Sequence, residues 1–176
     1  VLGKLATQVA TERPDLLAAP VLAALQNWPG DPAEVQVAPI DPELADTAAF
    51  CAAYDVGLEV SANCVVIAGK RDGVVRYAAC MVLATMRADV NGVVRRQLDV
   101  RKASFAPMAE AVELTGMEYG GITPIGLPSD WPILVDAAVA ASGLVVIGSG
   151  VRRSKIVLPA SALTTLPRAE VLPIAS

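Results

Sequence analysis

Two apolar runs, Cys64-Val65-Val66-Ile67-Ala68 and Val74 through Leu83, stand on either side of Lys70-Arg71-Asp72-Gly73. Asp-Gly between β-branched runs favours a tight reversal, because both residues tolerate the positive φ that a two-residue turn demands. This pattern predicts a β-hairpin, and the hairpin constrains the fold more than any other segment. Further strands are predicted at Val35–Val37, Lys102–Phe105, Pro132–Asp136, Leu144–Ile147, Lys155–Leu158 and near Val171. Helices are predicted around Leu16–Leu25, where Pro20 should break or offset the spacing. Others should run from Asp41-Pro42 towards Gly57, from Asp89 to Leu98, from Pro107 to Gly116 and from Pro159 to Leu166. Strands outnumber helices, and hairpin-like connections mix with helical ones. The expected fold class is therefore α/β, with a mixed, strongly twisted and partly barrel-like sheet flanked by helices. Residues 1–176 are expected to form a single domain, with 1–42 supplying a helix and strand that lead into its core.

A second stretch limits the chemistry. Tyr119-Gly120-Gly121-Ile122-Thr123-Pro124-Ile125-Gly126 mixes glycine and proline too densely for a regular element, yet its isoleucines imply a packed loop. Paired glycines let a ligand approach backbone N–H groups, which can form an anion-binding concavity. The same residues equally suit a tight connection between buried elements.

The chain contains no histidine, which excludes a histidine-based triad and histidine-containing metal sites within it. Cys51, Cys64 and Cys80 lack CxxC spacing and read as reduced, buried small residues. No cofactor or metal is called for. No apolar run is long enough to span a bilayer, and no signal-like start is evident, so the expected location is the cytoplasm. The net charge of −4 is uneven: residues 1–69 carry −7, whereas 70–155 carry +3. That excess is too small for tight duplex binding, in which many phosphates are neutralised together.

Polar residues fall where pockets form. Asn63 precedes a strand, Asp136 ends one, and Ser149 sits in Gly148-Ser149-Gly150, followed by Arg152, Arg153 and Lys155. Asp136 could line a pocket or cap the Ala137–Ala140 run. Ser149 reads more readily as a turn residue than as a nucleophile, Arg152 and Arg153 as a solvated pair, and Cys64 as core.

Five segments carry a resemblance: Ser61-Ala62-Asn63-Cys64-Val65-Val66, Arg76-Tyr77-Ala78-Ala79, the glycine loop, Val135-Asp136-Ala137 and Gly148-Ser149-Gly150-Val151-Arg152. In this order they resemble the YbaK family, the aminoacyl-tRNA deacylase domain also found inserted in bacterial prolyl-tRNA synthetases. The resemblance spans roughly residues 43–172. It implies a freestanding trans-editing enzyme that hydrolyses the ester between a wrong amino acid and the terminal adenosine of tRNA. Its partner would be the single-stranded acceptor end, with no membrane; a homodimer is left open. The alternative is a non-catalytic domain that binds aminoacyl-tRNA ends or an amino-acid-like ligand. By the family pattern, Gly120 and Gly121 would hold the carbonyl or its oxyanion and Asp136 would line the pocket as a catalytic group. Asn63, Cys64, Ile122, Thr123, Pro124, Gly148, Ser149, Gly150 and Arg152 would contact substrate. Family members commonly carry a lysine before the first hairpin strand; that position reads here as Asn63. Lys70, Arg76 or Arg87 is the candidate replacement for its charge.

Overall fold

The computed structural model describes residues 2–176. Its organising element is the predicted hairpin, β3 (Ala62–Arg71) and β4 (Val74–Leu83). Asp72 at φ 52° and Gly73 at φ 79° make the reversal, and the pairing runs unbroken from Arg71–Val74 to Ala62–Leu83. Consecutive apolar residues in β4 reflect cover on both faces. Ala79, Met81 and Leu83 join the larger core, whereas Ala78, Cys80 and Val82 pack with Val94 and Leu98 on the opposite side.

The hairpin forms the middle of one sheet. β5 (Ala103–Phe105) adds antiparallel to β3, while β6 (Ile133–Asp136) and β9 (Ala169–Leu172) add in parallel beyond β4. The second sheet is wholly antiparallel. It runs β1 (Gln8–Val9), β2 (Gln36–Pro39), β8 (Ser154–Pro159), β7 (Leu144–Gly148). A single parallel bridge, Ser61 to Val146, joins the sheets at one corner. The fold is mixed α/β as expected, but the barrel-like detail is corrected. Neither strand order closes on itself, and the two sheets are joined only by the Ser61–Val146 bridge among the described residues.

The helices are short and lie within or close to the predicted segments, although several bounds differ. α1 (Ala19–Gln26) carries Pro20 in its first turn, where the missing N–H costs nothing; the proline starts this helix and does not break it. Asp41 accepts from the Glu43 N–H at 3.0 Å to start a single turn, after which α2 (Thr47–Tyr54) runs on. α2 ends at Asp55 in the left-handed region, ahead of the predicted Gly57. Asp89 accepts from Val93 N–H and caps a π-turn, Val90–Val94, that continues into α3 (Arg95–Leu98). α4 (Met108–Thr115) closes at Gly116, and α5 (Ala137–Ala140) and α6 (Ala160–Leu163) follow β6 and β8. No helix is long and apolar enough to cross a membrane among the described residues.

Candidate active site

The partial pairing of β3 creates the site. Between its bridge to β7 and its pairing with β5, β3 has no strand neighbour on that edge among the described residues. A cavity of about 450 Å³ opens there, within the usual size range of small-molecule sites. Ser61 to Val66 form one wall, and Val146, Ile147 and Gly148 another. The entry to α2, at Ala45, Asp46 and Thr47, closes one end, and Phe105, Met108 and Tyr119 stand exposed at the rim. Tyr119, Gly120 and Ile122 bring in the glycine loop.

That loop is packed, as its isoleucines imply. Gly150 N–H donates to Gly121 O at 2.7 Å, and Glu118 N–H donates to Gly150 O at 2.9 Å. A Cβ on Gly148 would lie 2.6 Å from Gly121 O and 2.7 Å from Ile122 O, so only glycine lets β7 and the loop approach this closely. Arg152 straps the assembly, donating to Tyr119 O at 3.2 Å and to Pro42 O at 3.1 Å, while its backbone N–H donates to Glu118 Oε1.

The predicted residues divide. Asn63, Cys64, Gly120, Ile122 and Gly148 line the cavity; Gly121, Thr123, Pro124, Asp136, Ser149, Gly150 and Arg152 do not. Gly121 spends its N–H on Glu118 O at 2.9 Å, whereas the Gly120 N–H has no partner among the described residues. The expected pair of glycine donors is thereby corrected to one. Asp136 is 1% exposed and fully engaged. Its Oδ1 accepts from the N–H groups of Ile174 at 2.9 Å and Ala175 at 3.0 Å, and its Oδ2 accepts from Ala138 N–H at 3.1 Å. It caps α5 and fastens the C-terminal tail, which corrects the expectation that it lines the pocket.

Ser149 is likewise buried in a network with Ser154, whose Oγ lies 2.6 Å away, and with the Val151 and Ser154 carbonyls. Burial pushes the Cys64 thiol up, with Cys80 adding to the shift. A thiol held neutral in this way is a poor nucleophile.

Thr123 is fully buried, and its Oγ1 has no hydrogen-bond partner among the described residues. Leaving a hydroxyl buried and unpaired is costly, so Thr123→Val should raise stability by about 1 kcal/mol. The chemical-denaturation midpoint measures this gain.

The cation left out of the expected site residues is Lys155, on the interior strand β8 of its sheet. It is 9% exposed and lines the cavity. Its Nζ donates to Ala45 O at 3.1 Å and sits 5.2 Å from the Phe50 ring centroid. Burial is the main cause that draws its pKa below the ordinary lysine value; Arg152 adds to this, while Cys51 and Asp46 oppose it. None of the three suggested replacements lines this cavity: Lys70 and Arg76 lie elsewhere on the hairpin, and Arg87 borders a neighbouring hollow. A lysine opening the apolar run Lys155-Ile156-Val157-Leu158 was the available signal.

Asp46 brings a carboxylate to the same cavity. It stands at the N-cap of α2 without a side-chain capping bond. Asn63 accepts from Thr47 Oγ1 at 2.7 Å, which leaves its amide NH₂ free to donate outward. The site thus combines one ammonium, one carboxylate, one amide and an unpaired backbone donor beside an apolar wall.

The fold has close counterparts among solved structures. A protein proposed as a trans-editing enzyme for prolyl tRNA synthetase superposes with a TM-score of 0.76 at 20% identity, over 90% of this chain and 96% of that one. The hypothetical protein APE2540 gives 0.71 at 19% identity, over 81% of this chain and 91% of that one. A scaffold used for computational epitope backbone grafting gives 0.76 at 19% identity, over 90% and 97%. No curated protein matches the chain. The sequence model of the aminoacyl-tRNA editing domain matches residues 41–166, and the chain therefore belongs to that family, the YbaK-like group that its motifs resemble.

Proposed function

We propose that the protein is an aminoacyl-tRNA deacylase that removes wrong amino acids from tRNA by hydrolysing the ester at its 3′ terminus. The observation carrying this reading is the cavity on the open β3 edge, where Lys155, Asp46, Asn63 and the Gly120 N–H surround a space of about 450 Å³. In this reading Asp46 meets the α-ammonium of the amino acid. Lys155 retains two N–H bonds beyond the one given to Ala45, and these, with Gly120 N–H, face the ester carbonyl. Asn63 donates to the ribose.

Water adds to the carbonyl carbon and gives up a proton to solvent, and the oxyanion that forms is held by the ammonium and the backbone donor. Collapse of this intermediate breaks the bond to the ribose oxygen, which leaves with a proton from solvent. An aminoacyl ester is already activated, so this modest machinery suffices without imidazole. The exposed Tyr119 offers a face on which the terminal base can stack.

A panel of mischarged tRNAs tests the reading. Hydrolysis of at least one ester faster than its spontaneous rate is the expected result. No acceleration on any of them removes the enzymatic reading; tight binding without turnover would select the binding-only alternative.

A further inference from the structure

A second hollow of about 450 Å³ adjoins the first, and Asn63, Val65 and Phe105 belong to both linings. Asn63 and Val65 share one face of β3, and Val82, opposite Asn63 in register, continues that face across the hairpin. The two spaces therefore flank the same unpaired strand edge. An extended chain crossing that edge would pass from one directly into the other.

The chemistry of the second hollow differs from that of the first. Its floor is apolar, from Val65, Val82, Leu83 and Met86, and the charged residue in its lining is Arg87. Arg87 is anchored through its backbone, which exchanges two hydrogen bonds with Ser176 at 2.9 and 3.0 Å. Its exposed side chain makes no hydrogen bond or ion pair among the described residues. Phe105, 63% exposed, stands at the wall between the spaces. A flat apolar surface beside an uncompensated guanidinium suits a planar base joined to a phosphate.

We propose that this hollow is a nucleotide subsite for single-stranded RNA. It receives the residue that precedes the esterified adenosine, with Arg87 on the connecting phosphate and Phe105 against the base. This assignment rests on the editing reading for the identity of the chain, but its binding test is separate from catalysis. Arg87 touches only the preceding nucleotide and takes no part in the ester chemistry.

The experiment titrates the full chain with the ribotrinucleotide CCA and with adenosine, followed by heteronuclear NMR. CCA should bind at least about tenfold more tightly than adenosine, as expected when one of its two added nucleotides stacks its base and presents its phosphate to Arg87. Arg87→Ala should abolish that advantage while leaving adenosine binding unchanged. Arg87→Lys should restore part of it, and Arg96→Ala, on the exposed side of α3, should preserve it. Equal affinities for CCA and adenosine would overturn the subsite, as would CCA binding indifferent to Arg87→Ala. If CCA binds through Arg87 but no mischarged tRNA is hydrolysed, the subsite stands and the catalytic reading falls. If hydrolysis occurs while Arg87→Ala binds CCA normally, the reverse holds.

Discussion

Asp136→Ala should destabilise the protein by about 3–5 kcal/mol, since it strips a buried carboxylate from three backbone donors at once. Two of those donors belong to Ile174 and Ala175, so the variant should loosen the C-terminal tail as well as the start of α5. Ile174 is fully buried against the second core cluster, which ties the tail to the hairpin. Thermal or chemical denaturation reads the loss, and hydrogen exchange at Ile174 and Ala175 localises it. The rate of ester hydrolysis per folded molecule should change little. A catalytic Asp136 would give the opposite pattern, with near-normal stability and lost turnover.

Lys155→Met should reverse that balance. It removes the only buried ammonium in the cavity among the described residues, and loss of such an oxyanion donor should lower hydrolysis roughly 10²–10³-fold. Stability should move by no more than about 1 kcal/mol, because the relieved desolvation offsets the lost bond to Ala45. The pH dependence supplies a further check. Since burial lowers the lysine pKa, the unfolded chain binds this proton more strongly than the folded chain does. The lysine contribution to stability therefore increases as pH climbs from the depressed folded pKa towards the ordinary value, and it is absent from Lys155→Met. Cys64 and Cys80, whose thiols are raised by burial, act in the opposite sense because they ionise first in the unfolded chain. The lysine term is thus the difference between the two stability–pH curves. Enzyme-dependent hydrolysis should fall as pH rises through the same lysine pKa.

Local signals made much of the fold legible. Asp72-Gly73 fixes a turn from two residues, Asp41 and Asp89 cap turns within their own reach, and the glycine–isoleucine mixture of 119–126 requires a packed loop. The site was less legible because it depends on register between distant segments. Lys155 turns inward because β8 is held between β2 and β7, with Ala38 and Gly148 opposite it; its own neighbours, Arg152 and Arg153, suggest a wet surface. Asp136 illustrates the converse. Its position at a strand end suited either a pocket or a cap, and the choice depends on where the chain returns at Ile174, which no local pattern encodes. The barrel-like detail is not found for a related reason, because strand count does not reveal that the strands divide into two open sheets.

The unfinished edge of β3 has a consequence beyond catalysis. Unsatisfied strand edges template the addition of foreign strands, and most proteins shield them with charge, twist or an overlying segment. Here the exposed Phe105, Met108 and Tyr119 surround the opening, so the place that admits a ligand is also the place most open to self-association. An occupant lying along that edge would double as its guard, and depletion of substrate would leave the protein most prone to clumping.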